Sequence, residues 1–470
     1  MHASPRIEEL SAILEDPIKK AQLVLASHLH DASRGECRID LGRGAWYLKL
    51  EHGDSRLELV IVDMIVVAAS GYAGGERLTG SRVLDVLKTM KGPCIVELYR
   101  IDIDKLEYGG ELREAASLKE PPYYWVGASL YNYKVHSVVA EGSFSYILKA
   151  DGATGTVALK VLKRDSVGRK RIFKFIAENS VQAWLSMVDE DTVSKAASIK
   201  GARSLVEHIL DASSNIVRVM EIHAPLTAYD EDTYRRMPPA AVLELMEGDA
   251  SRLGPGEDLA AIAYNVLRAL ALAHMLGVGH FDMKPSNILY RITGSGRIYK
   301  LTDFSGYINT GSGMLVENVT PSYTDPLLIA SRGRGVGLDS DVFNYMSLVY
   351  RLATGSPPYC VLAVNNVMLS KLTGSKPVLP KPPDYARSLY EKLLKASRSS
   401  GAASLLREVV TLYEECILDE VKGSGIQEVL GGEWGEAASR SLTLDKSLRF
   451  RDAVDLALKL KDWMDEFKRT

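Results

Sequence analysis

Between Gly279 and Leu289 the chain reads Gly279-His280-Phe281-Asp282-Met283-Lys284-Pro285-Ser286-Asn287-Ile288-Leu289, and Leu301-Thr302-Asp303-Phe304-Ser305-Gly306 follows shortly after. Asp282 can accept a proton from a hydroxyl. Lys284 can neutralise charge developing on a phosphoryl group. Asn287 and Asp303 offer the oxygen ligands that Mg2+ prefers. The apolar segments Ile288-Leu289-Tyr290 and Tyr299-Lys300-Leu301 flank Thr293-Gly294-Ser295-Gly296 and predict a β-hairpin. Asn287 would stand at one base of that hairpin and Asp303 at the other, so both would face one metal cluster.

Other elements must deliver these residues. Leu259 to Leu276 is a strongly apolar stretch, read as the helix leading into the loop. Asp341-Val342-Phe343 begins a second buried helix running to about Ala353, with an acidic residue suited to its N-terminal dipole. Thr320-Pro321-Ser322-Tyr323-Thr324-Asp325-Pro326-Leu327 follows a Gly-, Ser- and Asn-containing loop from Tyr307 to Val319. Lys376 to Pro383 and Gly431 to Ser439 read as loops.

The chain has 470 residues, 46% of them hydrophobic and 25% charged, with a formal net charge of -3. That length suggests two or three domains, and the charge gives no reason to expect a nucleic-acid partner. The most apolar run, Leu57 to Ala69, is too short and too often interrupted to span a bilayer, and without a basic n-region followed by an apolar core at the N-terminus no secretory signal is expected. Cys37, Cys94, Cys360 and Cys416 lie far apart, with no metal-site spacing and no implied disulfide framework, so a reducing, cytoplasmic setting is expected. Glutamine occurs only at Gln22, Gln182 and Gln427, a hint of a thermophilic source.

The first segment reads as a small α+β domain. Ile7, Leu10, Ile13 and Leu14 have helical spacing, with Pro17 as an interruption. Strands are expected at Cys37–Asp40, at Ala45–Leu50, at two places within Arg56–Ala69 turning near Asp63, and at Cys94–Ile101. Thr79 or Ser81 would cap a helix carrying Val83, Leu84, Val86, Leu87 and Met90. His28 and His30 are read as solvated residues at a helix end. Glu120-Pro121-Pro122-Tyr123-Tyr124-Trp125 is read as a linker, with Trp125 packing.

The two chemistry-bearing stretches resemble the catalytic loop His-Arg-Asp-x-Lys-x-x-Asn and the Asp-Phe-Gly motif of eukaryotic-type (Hanks-type) serine/threonine protein kinases, in a prokaryotic or archaeal-like form. His280, Asp282, Lys284 and Asn287 match, Phe281 replaces the arginine, and Asp303-Phe304-Ser305 displaces the glycine to Gly306. Val138 to Ile147 resembles the glycine-rich loop, keeping Gly142 but carrying Ala140 and Ser145 at neighbouring positions. Val157-Ala158-Leu159-Lys160 resembles the family's Val-Ala-Ile-Lys strand.

The resemblance implies an α+β architecture: a bilobal protein-kinase fold over residues 136–470 (lobes 136–247 and 248–470). An N-terminal regulatory or docking domain (1–119) and a linker (120–135) would precede it. The cofactors implied are ATP and Mg2+. Asp282 would orient and deprotonate a hydroxyl, Lys284 and Lys160 would balance phosphate charge, and Asn287 and Asp303 would hold Mg2+. Gly142 would let backbone approach the phosphates. Val139, Ile147, Ala158, Leu243 and Leu289 would line a purine pocket, with the backbone at Glu244 and Met246 reading adenine. Glu178 is favoured as the helix partner of Lys160, with Glu207 as its rival because an insertion between Met187 and Ser204 blurs the assignment. Gln182 stands where the family usually has an apolar residue.

Thr320 would approach Asp282 and Lys284, and the platform it begins implies protein serine/threonine substrates. Arg449 would ordinarily pair with a glutamate that Leu327 replaces here, so it needs another partner or exposure. The resemblance further implies autophosphorylation, and Phe281 implies independence from an activation-loop phosphate. Two alternatives stay open. A pseudokinase scaffold is supported by Ala140, Ser145, Ser305 and Leu327. A small-molecule phosphotransferase is disfavoured by Thr320 to Pro326.

Overall fold

The computed structural model describes residues 2–4, 6–36, 41, 44–90, 92–117, 121–153, 155–225, 230–294, 296–304, 320–332, 337–396 and 401–469. They form two compact units, one of Met1–Leu130 with Lys134–Val138, the other of Tyr131–Tyr133 with Val139–Thr470.

In the first unit, helix α1 (Ile7–Leu10) continues into a tighter turn, and α2 (Pro17–Leu25) starts where the interruption is expected. Proline suits the first helical position because its missing N–H has no partner there anyway, and Asp16 accepts from Ile18 N at 2.8 Å. Strand β1 (Ser27–Glu36) contains His28 and His30, which therefore lie in a strand, not at a helix end. Cys37–Asp40 lies outside the described residues. β2 (Ala45–His52), β3 (Ser55–Val62), β4 (Ile65–Ala73) and β5 (Glu76–Thr79) follow, then α3 (Ser81–Thr89), β6 (Pro93–Ile101) and α4 (Gly109–Ser117). The antiparallel sheet runs β4-β3-β2-β6-β1 in space.

Both faces of that sheet are covered, as a layered domain requires. Val60 and Val62 join Leu10, Leu14, Leu23 and Leu112 on one side, while Leu57, Leu59 and Ile61 join Val83 and Leu84 on the other. The expected Thr79 or Ser81 cap is replaced. Gly80 occupies the cap at φ 59° with no side chain to offer, and the Glu8 carboxylate accepts from Ser81 N at 2.8 Å.

In the second unit, to which Tyr133 and Val139–Glu141 of β7 (Tyr133–Glu141) belong, a sheet orders β7, β8 (Ser145–Gly152), β9 (Gly155–Leu162), β11 (Ala240–Glu244) and β10 (Val219–His223) as 10-11-9-8-7. Lys160 pairs in register with Ile147 on one side and Ala241 on the other. Ala158 pairs with Leu243. With a side-chain period of two, Ile147, Ala158, Lys160 and Leu243 share one face. Helix α5 (Arg169–Leu185) packs Ile172 and Phe175 into this cluster. The insertion forms α6 (Glu190–Ile199), capped by Asp189 on Thr192 N at 2.7 Å.

Below lies a large helical core. α7 (Leu259–Met275) is almost wholly buried, and the hairpin forms as β12 (Ile288–Thr293) and β13 (Gly296–Leu301). α8 (Pro326–Ala330), α9 (Asp339–Thr354), α10 (Tyr359–Thr373), α11 (Arg387–Ala396) and α12 (Ala402–Lys422) follow. α13 (Gly432–Ser441), α14 (Ala453–Lys459) and α15 (Lys461–Arg469) complete the unit. Gly431 to Ser439, read as a loop, is mostly α13: Trp434, Ala437, Ala438 and Ser441 are buried at helical spacing despite the small residues between them.

The cysteine expectation also fails. Cys360 and Cys416 form a disulfide across 56 residues, joining α10 to α12, and Cys94 is disulfide-bonded too. Distance along the chain does not predict pairing where helices pack side by side. Among the described residues no helix is long and apolar enough to cross a membrane.

Candidate active site

The loop after α7 is held by buried Asp341 near the start of α9. Its carboxylate accepts from the backbone of His280 and from Phe281 N at 2.6 Å. It also faces His274 Nε2 at 3.1 Å. His274 Nδ1 accepts from Ala453 N at 2.9 Å, so the proton must sit on Nε2 and be donated to Asp341. Phe281 is fully buried at φ 61°, and Asn344 Nδ2 donates to its carbonyl at 3.2 Å. A bulky residue in this region is costly unless its surroundings impose it.

Around Asp282, Thr320 Oγ1 donates to Oδ1 at 2.7 Å and Lys284 Nζ donates to Oδ2 at 2.6 Å. Asn287 Nδ2 donates to Asp282 O at 2.8 Å. His280 Nδ1 accepts from Asp282 N at 3.2 Å, so its Nε2 donates to Thr302 O at 2.8 Å. Asn287 and Thr302 sit at opposite bases of the hairpin, joined by Thr302 N to Asn287 O at 3.0 Å. Asp303 comes next, at φ 64°.

Lys160 Nζ pairs with Asp303 Oδ1. The lysine side chain is 14% exposed and the carboxylate 43%, so the pair lies at an opening although protein atoms crowd around it. Burial pushes the Asp303 carboxyl up, but Lys160 outweighs it and holds the group below its ordinary range. Glu178, the expected partner, lies 3.8 Å from Lys174 one turn earlier on α5 and acts on Lys160 only through charge. Burial leaves the Glu178 carboxyl raised despite Lys160 and Lys174. Glu207 accepts from Lys468 through its backbone at 2.7 Å.

Ala158, Leu243 and Met246 share an apolar cluster with the partly buried Ile147, Leu289 and Phe144. Val139 is 46% exposed and stays outside it. Glu244 uses its side chain on Lys300 at 2.7 Å and Arg291 at 3.2 Å. At Gly142 an added Cβ would make only ordinary contact with Ser145 O at 3.4 Å, so the fold itself does not demand glycine there. Ser305 to Val319 lies outside the described residues.

Arg449 is fully buried, and its main partner is Asp325, at 2.6 and 3.0 Å to the two carboxylate oxygens, with Asp339 Oδ2 a second acceptor at 3.3 Å. Asp325 also accepts from Ser340 Oγ and from Leu327 N. Burial opposes its charge, but Arg449 prevails and the carboxyl is held below the usual range. An acid two residues ahead of Leu327 thus takes the place of the absent glutamate. The sequence signal was a lone acidic residue, directly before Pro326, in a segment of otherwise uncharged residues. Asn365 fixes the same segment, donating to Pro321 O at 2.8 Å and Thr324 O at 2.7 Å.

A family model described as "Protein kinase domain" matches residues 133–411, more than half of the chain. The chain belongs to the protein kinase family. It is 26% identical over 273 residues to serine/threonine-protein kinase ArnS of Sulfolobus acidocaldarius, covering 52% of this chain and 39% of that protein. It is 25% identical over 297 residues to serine/threonine-protein kinase PkaB of Streptomyces coelicolor, covering 60% and 63%. The match therefore spans less than two thirds of either relative. Among solved structures, the kinase domain of PknI from Mycobacterium tuberculosis is 19% identical, with 73% of this chain and 98% of that one covered and a TM-score of 0.39. The kinase domain is preceded by a region of about 130 residues.

Proposed function

We propose that this chain is an ATP-dependent serine/threonine protein kinase that moves the γ-phosphoryl group of ATP to protein hydroxyls, its own included. The observation that carries the reading is the Thr320 hydroxyl donating to Asp282 Oδ1 at 2.7 Å while Lys284 holds Oδ2. A substrate hydroxyl taking up that position would give its proton to the same carboxylate as its oxygen attacks phosphorus. Lys160, freed from Asp303, would contact the phosphates, with Glu178 as its charge partner on α5. Ile147, Ala158, Leu243 and Leu289 would sandwich adenine, with Val139 at the rim and the backbone at Glu244 and Met246 reading its edge.

The donor set fits Mg2+: Asp303 offers a part-open carboxylate, and Asn287, whose Nδ2 is committed to Asp282 O, keeps its amide oxygen for a hard cation. When bound, the ion would supply positive charge at the phosphates. The chain's own residues would do the rest, which is positioning and charge balance. The first unit is assigned a regulatory or docking role. A cytoplasmic, archaeal-like setting belongs to the same proposal; the disulfides are compatible with it, because intracellular proteins of hyperthermophiles keep them.

Radiolabelled ATP with a general protein substrate, comparing wild type with Asp282→Asn, tests this. Label on protein from wild type alone supports it. Nucleotide binding without transfer, or label only on a metabolite, overturns it.

A further inference from the structure

Gln182 is a polar residue in the interior, 2% exposed on α5, and its amide is fully engaged. Nε2 donates to Val217 O at 2.8 Å and to Thr302 Oγ1 at 3.2 Å. Oε1 accepts from Asp303 N at 2.9 Å. The partners fix the amide's orientation, since a backbone N–H needs an acceptor and a carbonyl needs a donor. One side chain therefore ties α5 to the residue leading into β10 and to the backbone of the residue whose carboxylate faces Lys160.

That backbone needs holding. Asp303 sits at φ 64°, where a side chain other than glycine's is strained. The neighbouring carbonyl of Thr302 is anchored from the other side by His280 Nε2 at 2.8 Å. Thr302 is thus gripped by the catalytic loop and Asp303 by α5. Among the described residues Lys160 and Glu178 form no ion pair within 4.0 Å, and the amide of Gln182 is a direct polar link between α5 and the Asp303 segment.

We infer that Gln182 is a positioning residue: it sets the backbone of Asp303, and hence the direction of the carboxylate that would hold Mg2+, according to where α5 stands. A shift of α5 would be read at Asp303 through a hydrogen bond, with no change at the nucleotide needed to transmit it. This rests on the kinase reading for its catalytic meaning, but the clamp itself is a property of the free protein.

The test has two arms. In unliganded wild type the Asp303 amide should exchange its hydrogen slowly, and Gln182→Met, which keeps length and apolar volume but loses every polar contact, should speed that exchange at least about tenfold. In transfer assays Gln182→Met should lower kcat about tenfold and raise the Mg2+ concentration for half-maximal rate several-fold. A merely structural role would reduce the active fraction and leave the Mg2+ requirement unmoved. The inference is overturned if Gln182→Met stays within twofold of wild type in kcat and Mg2+ requirement, or if the wild-type Asp303 amide exchanges unprotected. Should Gln182→Met not fold, the wild-type exchange rate decides. Should wild type transfer no phosphate, the kinase reading falls and exchange alone judges the clamp.

Discussion

Two aspartate–cation pairs in the second unit have the same chemistry and opposite settings. Asp325 and Arg449 have no exposed side-chain surface, and Ser340 Oγ and Leu327 N take further places on the carboxylate. Lys160 and Asp303 meet at an opening, with 43% of the carboxylate side chain exposed. A sealed pair cannot exchange partners without leaving a bare charge in the interior, so it fixes architecture. An open pair can be parted by an incoming ligand and re-formed afterwards, so it suits a working site. On the proposed reading, the substrate platform would be built on the first kind and the nucleotide cleft on the second.

Arg449→Met is the hardest test of that contrast. Leaving Asp325 buried and unpaired should cost about 3–5 kcal/mol in denaturant unfolding. A loss below about 1 kcal/mol would erase the distinction. Asp303→Asn should do the reverse, with stability within about 1 kcal/mol of wild type and phosphoryl transfer down at least about a hundredfold, equivalent to about 2.7 kcal/mol. Removing the Cys360–Cys416 bridge with the double change Cys360→Ala and Cys416→Ala should lower stability, read by melting, by at least about 2 kcal/mol without changing transfer at low temperature.

Acid sharpens the comparison further. Asp325 is held below its ordinary range, so its contribution is fully present above the unfolded carboxylate value, roughly pH 3.9, and is lost as pH falls through the lower folded value. Unfolding of wild type should therefore steepen below about pH 4, and Arg449→Met should steepen less. The smallest effect is expected at Thr310 and Ser312. With buried Phe281 in place of an arginine there is no guanidinium at that position to bind a loop phosphate. Alanine or phosphomimetic changes should leave the rate near wild type, and a hundredfold loss would refute this.

The cleft was largely legible from sequence because its residues are carried by short local patterns. Asp282, Lys284 and Asn287 sit within one loop, and the hairpin that spaces Asn287 from Asp303 announces itself through its turn. Residues whose meaning depends on distant neighbours were not legible. Gln182 looked like an anomaly on a helix face until Thr302, Asp303 and Val217 were seen around it. Asp325 looked like one more polar residue beside a missing glutamate. Cys360 and Cys416 gave no signal because two helices, and not a short loop, bring them together. The strand from Ser27 to Glu36 escaped for a different reason: its side chains are mostly polar and exposed, so no apolar alternation marked it.

His274 has a practical corollary. One of its nitrogens is capped by Ala453, beyond residue 411 where the family match ends. A shortened gene product stopping at 411 would strip that imidazole of its proton-fixing neighbour and remove Arg449 altogether. Anyone trimming this protein for crystallisation or screening should keep the chain through its last two helices, or expect the catalytic loop to lose its bracing before any active-site residue has been touched.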